Sequence, residues 1–133
     1  MNREEIYKAM RSLVADSLAL KEDEIQPQCR LTDDLGADSL DFIDIIFGIE
    51  KKFEVKVRDG ELDFISRLDF SSPKVMRQGY LTLETIQRLT KRLPALEQVQ
   101  DPAKVTPAQL FSFITIETLC IMVEEELRRR AGG

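Results

Sequence analysis

Residues 39 to 53 read SLDFIDIIFGIEKKF, and this segment constrains the fold more than any other. Its spacing predicts a helix in which a narrow polar stripe faces a much wider apolar surface. A helix on a protein surface needs an apolar arc of only about 100° or slightly more. Eight apolar residues exceed that arc, namely Leu40, Phe42, Ile43, Ile45, Ile46, Phe47, Ile49 and Phe53. The helix must therefore be covered on nearly all sides, or it must offer its excess to another molecule.

Negative charge is concentrated in the same part of the chain. Residues 33 to 54 contain seven carboxylates and two lysines, a net charge of −5, which equals that of the whole chain. Ser39 lies inside this acidic window, which indicates a hydroxyl that is modified and then recognised. A sequence pI near 4.9 argues against a nucleic-acid binder, which needs a basic surface. It suits a partner that presents Lys and Arg.

Length and composition predict one domain of helical class. The chain has 133 residues, 43% of them hydrophobic, which is enough for a core. Aromatic residues, Gly and Pro are few, so a β-rich fold is not expected. Cys29 and Cys120 are 91 positions apart and match no metal-binding spacing, so we interpret them as two reduced thiols. Neither a signal core nor a spanning apolar run is present, so we predict a cytoplasmic protein without membrane insertion. We also expect a monomer.

Periodicity and capping signals place the remaining helices. Residues 3 to 18 are predicted as a helix, with Asn2 and Glu5 as a capping box, and 20 to 38 as a long connection. Thr82 is the expected cap of a helix over 82 to 93, which Pro94 ends. Shorter helical pieces are predicted at 62 to 68 and 107 to 113, with a linker at 98 to 104 and a last helix from Thr115.

Catalytic chemistry finds little support in the residues. Without a histidine, a serine–histidine relay is excluded, and two distant cysteines cannot assemble a zinc site. No Gly-rich phosphate loop of either familiar type is present. The acid pairs Asp33/Asp34 and Asp41/Asp44 are typical of a solvated helix face. We therefore predict neither an enzyme nor a metal site.

Ser39 has two interpretations. It, or Asp38 before it, caps the helix, a role that both residue types favour. The alternative comes from about 25 residues in register, DDLGADSLDFIDIIFGIEKKFEVKV. This run resembles the acyl carrier protein family, whose hallmark is a D-S-L triplet at the start of the second helix, here Asp38-Ser39-Leu40. The closing Glu50, Phe53, Val55 and Val57 match in order and spacing.

The resemblance implies an acyl-carrier-like four-helix bundle with 4′-phosphopantetheine attached to Ser39. A phosphopantetheinyl transferase would supply the group from coenzyme A using Mg²⁺. The group would then carry an acyl chain as a thioester to acyl synthases or acyltransferases with basic docking patches. The protein itself would perform no chemistry.

Two further sets of residues follow from the resemblance. One set would line a cavity for the acyl chain, although for each member taken singly ordinary core packing is favoured over ligand contact: Phe42, Ile43, Ile45, Ile46 and Ile49. The other would face partner enzymes: Asp38, Leu40, Asp41, Asp44 and Phe47.

The sequence departs from the family in two places. Lys51 and Lys52 follow Glu50, where family members often carry acids, which puts the usual fatty-acid synthase partners in doubt. A helical insertion at about 59 to 104 separates the second helix from the final helices. It would pack beside the second helix and enlarge the acyl pocket, dock a partner, or merely elaborate the surface.

The function predicted is carriage of acyl chains in fatty acid or lipid biosynthesis, with a similarity to carriers that serve lipid A. Two alternatives stay open. One is a carrier of polyketide, aryl-polyene or aminoacyl intermediates. The other is an unmodified helical adaptor that works through its acidic face.

Overall fold

A computed structural model describes residues 2–55 and 68–132 as a helical bundle. Its long helices are α1 (Arg3–Leu18), α2 (Ser39–Phe53) and α4 (Ile116–Gly132), with a short α3 (Leu83–Leu89) between the last two. Helix α1 packs against both α2 and α4. The all-α prediction is confirmed, and the predicted bounds of the first two helices agree with those observed.

Local sequence explains where α1 begins. The Asn2 side chain accepts a hydrogen bond from the N–H of Glu5 at 2.8 Å, and the Asn2 N–H donates to the Glu5 carboxylate at 3.3 Å. This reciprocal pair satisfies two N–H groups that the first helical turn otherwise leaves without acceptors. Ile6, Met10 and Val14 then repeat at helical spacing and are buried, as the periodicity predicts.

The connection between α1 and α2 is fixed by hydrogen bonds to the start of α4. The N–H of Glu117 donates to the carbonyl of Pro27 at 2.9 Å, and that of Ile116 to Cys29 at 3.1 Å. Leu31 closes the set by donating to Ile114 at 3.0 Å. A long loop is thereby held in one place by contacts about 85 residues away in sequence, and it delivers the chain to α2.

A small hairpin was not predicted. Strands β1 (Met76–Arg77) and β2 (Tyr80–Leu81) pair antiparallel, with Arg77 opposite Tyr80. Gln78 and Gly79 form the loop with φ of +57° and +87°. Positive φ at both positions gives a turn whose twist matches that of the strands. The sequence signals a loop at Gly79, but the left-handed Gln78 has no such signal.

Helix α3 begins where predicted and ends early. Thr82 is its cap, accepting from the N–H of Thr85 at 3.3 Å, but the helix stops at Leu89 rather than Leu93. Pro94 disfavours the helical conformation at the residue before it, and Leu93 has φ −121° and ψ 71°. The chain makes a turn there instead.

Short 3₁₀ segments lie between the helices. Glu22–Glu24 belongs to the connection after α1, Pro94–Gln98 and Pro102–Lys104 belong to the insertion, and Pro107–Phe113 precedes α4. The predicted linker at 98 to 104 thus contains 3₁₀ turns, and the helical piece ending at Phe113 is of 3₁₀ type. The predicted helix at 62 to 68 and the family position Val57 lie outside the described residues, apart from Leu68.

Buried residues of the insertion belong to the same hydrophobic cluster as the long helices. Its members from the insertion are Leu81, Ile86, Leu89, Leu93 and Leu96, and they join Ile6 of α1, Ile45 of α2 and Leu119 of α4. An ion pair adds to this packing, since Arg92 contacts Glu125 of α4 at 3.1 Å. The described part of the insertion, residues 68–104, is therefore packed through α4 and the common core.

Candidate functional site

Ser39 is the first residue of α2, and the residue before it caps the helix. The Asp38 side chain accepts from the N–H of Asp41 at 2.8 Å, while the Asp38 N–H donates to the Asp41 carboxylate at 3.1 Å. Of the two candidate caps in the sequence, Asp38 is therefore the one that the fold uses. The cap of α2 is therefore supplied by the residue before Ser39.

The capping box leaves backbone donors at the helix start. It uses the N–H groups of Asp38 and Asp41, and that of Phe42 donates to the Asp38 carbonyl at 2.9 Å. By helix geometry, the N–H groups of Ser39 and Leu40 remain in this first turn. Such donors and the positive end of the helix dipole suit a phosphate group. The backbone at Ser39 thus fits attachment of a phosphodiester.

The turn that precedes Asp38 is built by local hydrogen bonds. The N–H of Ala37 donates to the carbonyl of Leu31 at 2.8 Å, and that of Gly36 to Thr32 at 3.1 Å. Gly36 has φ +73°, a conformation that residues with a Cβ rarely adopt. Since Ala37 and Leu31 are buried, this turn fixes the direction in which α2 leaves the loop.

Arg30 organises the acidic loop, a role that the sequence does not reveal. Its guanidinium contacts the Asp33 carboxylate at 3.3 Å and lies 4.6 Å from the centre of the Phe113 ring. Its backbone N–H donates to Asp34 at 2.8 Å. One arginine thereby holds two of the acids and anchors the loop on the segment before α4. A single basic residue in a polar loop gives no periodic signal from which this could be inferred.

The predicted partner-facing residues lie at the start and middle of α2. Leu40 is 71% exposed and Phe47 is 49% exposed, so both apolar side chains lie at the surface. Asp38 and Asp44 are also exposed, and Asp41 is half-buried in the capping box. Acidic and apolar groups therefore share one accessible part of the helix.

The predicted acyl-pocket residues divide into three kinds of environment. Ile45, Ile46 and Ile49 are buried in the core, and Phe42 is partly buried against it. Ile43 is 49% exposed and lies with the surface residues in this structure. Ligand contact for all five stays a prediction, and Ile43 would have to be reached from the solvent side.

Two groups with shifted pKa values, Cys120 and Glu124, lie on α4 and not at the start of α2. Burial raises the pKa of the Cys120 thiol to about 12, so that this thiol stays protonated and unreactive at neutral pH. The hydrogen bond from Arg3 lowers the pKa of Glu124, with the guanidinium 2.7 Å from the carboxylate. The Arg3–Glu124 ion pair joins α1 to α4, so Glu124 has a structural role.

Two features are absent from the described part of the chain. Among residues 2–55 and 68–132, no three or more His, Cys, Asp and Glu side chains are grouped so that they could hold a metal ion. Within the same ranges, no helix has both the length and the apolar content that crossing a membrane requires.

The first half of the chain, which contains α1 and α2, is similar to known proteins. Residues 8–68 match the family described as phosphopantetheine attachment site. The acyl carrier protein of Thermotoga maritima is 42% identical over 65 residues, which cover 49% of this chain and 80% of that protein. Those of Thermosynechococcus vestitus and Guillardia theta are 34% and 32% identical over 79 residues, covering 56% of this chain and 98% of each relative. No solved structure matches the chain.

Proposed function

This chain belongs to the acyl carrier protein family, and we propose that Ser39 is the residue to which its 4′-phosphopantetheine is attached. The family carries this group and consists of carriers rather than enzymes. The segment that matches the family contains four serines, Ser12, Ser17, Ser39 and Ser66. Two of these lie within α1, whereas Ser39 begins a helix whose cap is supplied by another residue. The position of Ser39 at the start of α2 is the observation that supports the proposal.

The helix start supports the added charge. Backbone N–H groups and the helix dipole favour an anion at this end, while the neighbouring carboxylates of Asp38 and Asp41 oppose it. Each of these carboxylates already accepts a backbone hydrogen bond, Asp38 from the N–H of Asp41 and Asp41 from that of Asp38. These bonds partly offset their negative charge. When bound, the group supplies a thiol that holds an acyl chain as a thioester.

The exposed part of α2 is the proposed docking surface for enzymes. Asp38, Asp41 and Asp44 meet basic patches on a phosphopantetheinyl transferase, which uses coenzyme A and Mg²⁺, and on acyl synthases or acyltransferases. Charge pairs at such a rim increase the rate of encounter more than the affinity. Leu40 and Phe47 add apolar contact beside them. The acyl chain lies against Phe42, Ile43, Ile45, Ile46 and Ile49, which must separate because three of them are buried.

The pathway is proposed to be fatty acid or lipid biosynthesis in the cytoplasm, with the protein modified as a monomer. Lys51 and Lys52 give the end of α2 a positive charge, so the partners differ from those of carriers that are acidic there. Support for a dedicated set of partners comes from the packed insertion, since the family match ends at residue 68.

Intact-mass measurement tests the attachment site. The chain is incubated with coenzyme A, Mg²⁺ and a broad-specificity transferase, and we expect it to gain the mass of one phosphopantetheine. Ser39→Ala should gain nothing, while Ser17→Ala, an exposed serine of α1, should gain the full mass. Far-UV circular dichroism checks that both variants fold.

Two results would contradict this proposal. A gain of mass that persists in Ser39→Ala would place the attachment elsewhere. No gain in the folded wild-type chain would favour the unmodified adaptor.

A further inference from the structure

The hairpin and α3 form a surface that the carrier function does not use. A groove of about 470 Å³ lies between the hairpin and the start of α3, with Lys74, Arg77, Tyr80 and Leu83 in its lining. A second groove of about 510 Å³ continues along α3 to Lys91 and Arg92. Glu84 lines both grooves, so they adjoin. We call the two together the basic groove.

Charge in the basic groove is opposite to that of the chain. Seven charged side chains line it, five of them basic, namely Lys74, Arg77, Arg88, Lys91 and Arg92, against Glu84 and Glu125. The lining is therefore +3 on a chain of net −5. Glu84 and Glu125 are already engaged by Arg88 and Arg92. No ion pair within residues 2–55 and 68–132 uses Lys74, Arg77 or Lys91, so these cations are available.

Apolar surface lies beside these cations. Leu83 is 54% exposed and Tyr80 is 36% exposed, and both line the same groove as Lys74 and Arg77. A concave surface that mixes cations with large apolar side chains fits a ridge of the complementary kind, with carboxylates beside apolar residues. A flat lipid surface would contact such a concavity poorly.

The chain itself carries a ridge of that kind. On α2, Asp41 and Asp44 lie beside Leu40 and Ile43, which are 71% and 49% exposed. We call these four residues the acidic ridge. The lining of the basic groove comes from residues 73–92, Ala103 and Glu125, and none of it comes from α2. The two surfaces therefore do not occupy each other within one molecule.

We propose that the occupant of the basic groove is the acidic ridge of a second copy of this chain. A twofold pair would make the contact twice and would close, as most homo-oligomers do. Two molecules of net −5 repel each other at long range, but physiological salt screens charges beyond about 8 Å. At contact distance, the attraction between the opposite charges of the acidic ridge and the basic groove favours association.

Such a pair has a consequence for the carrier. The acidic ridge adjoins Ser39, so self-association and docking of modifying enzymes compete for the same surface. The inference does not rest on the modification, because the association is expected of the unmodified chain. A chain that does not self-associate would leave the proposed attachment at Ser39 untouched, and a chain that is not modified would leave the proposed self-association untouched.

Sedimentation velocity over a concentration series tests the association. We expect the wild-type chain to shift reversibly towards a dimer at low salt, and to shift back at about 0.5 M salt, where screening extends over only a few ångströms. Lys74→Glu/Arg77→Glu reverses the groove, and Asp41→Lys/Asp44→Lys reverses the ridge. Each should weaken self-association at least about tenfold, since like charges then oppose each other across the contact.

Mixing the two variants gives the sharper result. The intact ridge of the groove variant faces the intact groove of the ridge variant, so an equimolar mixture should associate again. Lys8→Glu/Lys21→Glu applies the same charge change as the groove variant on α1 and the connection after it, and should associate like the wild type. Circular dichroism confirms that each variant is folded before it is compared.

Three outcomes would overturn the proposal. A wild-type chain that stays monomeric throughout the series is one, and a dimer that neither variant weakens is another. The third is a monomeric chain that binds phosphatidylglycerol vesicles through Lys74 and Arg77, which would assign the groove to lipid instead.

Discussion

Helices α2 and α3 both begin with a polar cap and an exposed leucine, but the charge around them differs. The cap of α2 is Asp38, in a reciprocal capping box, and that of α3 is Thr82, which accepts one backbone hydrogen bond; the leucines are Leu40 and Leu83. Around the start of α2 the neighbours are acidic, and around α3 they are mostly basic. Only α2 lies in the segment that matches the family. The two helix starts thus differ in the charge that they present, and charge complementarity is one means by which partners discriminate between surfaces.

Core truncation should produce the largest effect and test whether the two regions share one core. Ile49→Ala in α2 and Leu89→Ala in α3 each remove a buried side chain, and each should lower the free energy of unfolding by about 2–5 kcal/mol. Ile43→Ala, on the exposed side of α2, should cost about 0.5 kcal/mol or less. Urea titration followed by circular dichroism measures all three. If Leu89→Ala destabilised the insertion while the rest of the protein unfolded at the wild-type urea concentration, the two regions would not share one core.

The hairpin turn should give the next largest effect. Gly79→Ala places a Cβ at φ +87° and should destabilise the protein by about 1–2 kcal/mol. Gln78→Gly at φ +57° should be neutral or stabilising, because it removes the same kind of strain. The thermal midpoints of the two variants should move apart. A destabilising Gln78→Gly with a neutral Gly79→Ala would show that the turn has another geometry.

The two caps should then cost similar amounts. Asp38→Ala and Thr82→Ala each remove a side-chain acceptor at a helix start, and each should cost about 1 kcal/mol. Asp44→Ala, which is exposed on α2 beyond the first turn, is the control and should cost less. A negligible effect of Asp38→Ala would mean that Ser39 caps the helix after all. Urea midpoints at neutral pH measure these differences.

The smallest expected effect on stability comes from the ion pairs that α4 makes with α1 and with the insertion. Arg3 holds Glu124 on one side of α4, and Arg92 holds Glu125 beside it. Because the folded pKa of Glu124 lies below its unfolded value, its contribution is present above the unfolded pKa and is lost as the pH falls through the folded one. The wild type should therefore lose more stability than Glu124→Gln between pH 6 and about pH 3. Equal losses would show that the pair does not stabilise the fold.

Sequence periodicity was sufficient for the helices that have strong local signals. Helices α1 and α2 were predicted with their observed bounds, since both combine a capping box with apolar residues at helical spacing. The family, its cofactor and its role as a carrier rather than an enzyme were also predicted, from the run around Ser39. The hairpin and the early end of α3 were missed, because a left-handed Gln78 and a turn before Pro94 leave no periodic pattern.

By itself, the sequence determined that α2 has more apolar surface than a surface helix needs and that its start is acidic. Only the tertiary structure decided how that excess is divided, with Ile45 and Ile49 buried by the core while Leu40 and Ile43 face the solvent. It also decided that Arg30 and the turn at Gly36 set the position of Ser39 through contacts with the segment before α4. The physical reason is that the burial of a side chain on α2 depends on which helices, distant in sequence, pack against it. The spacing of apolar residues along one helix does not identify those helices.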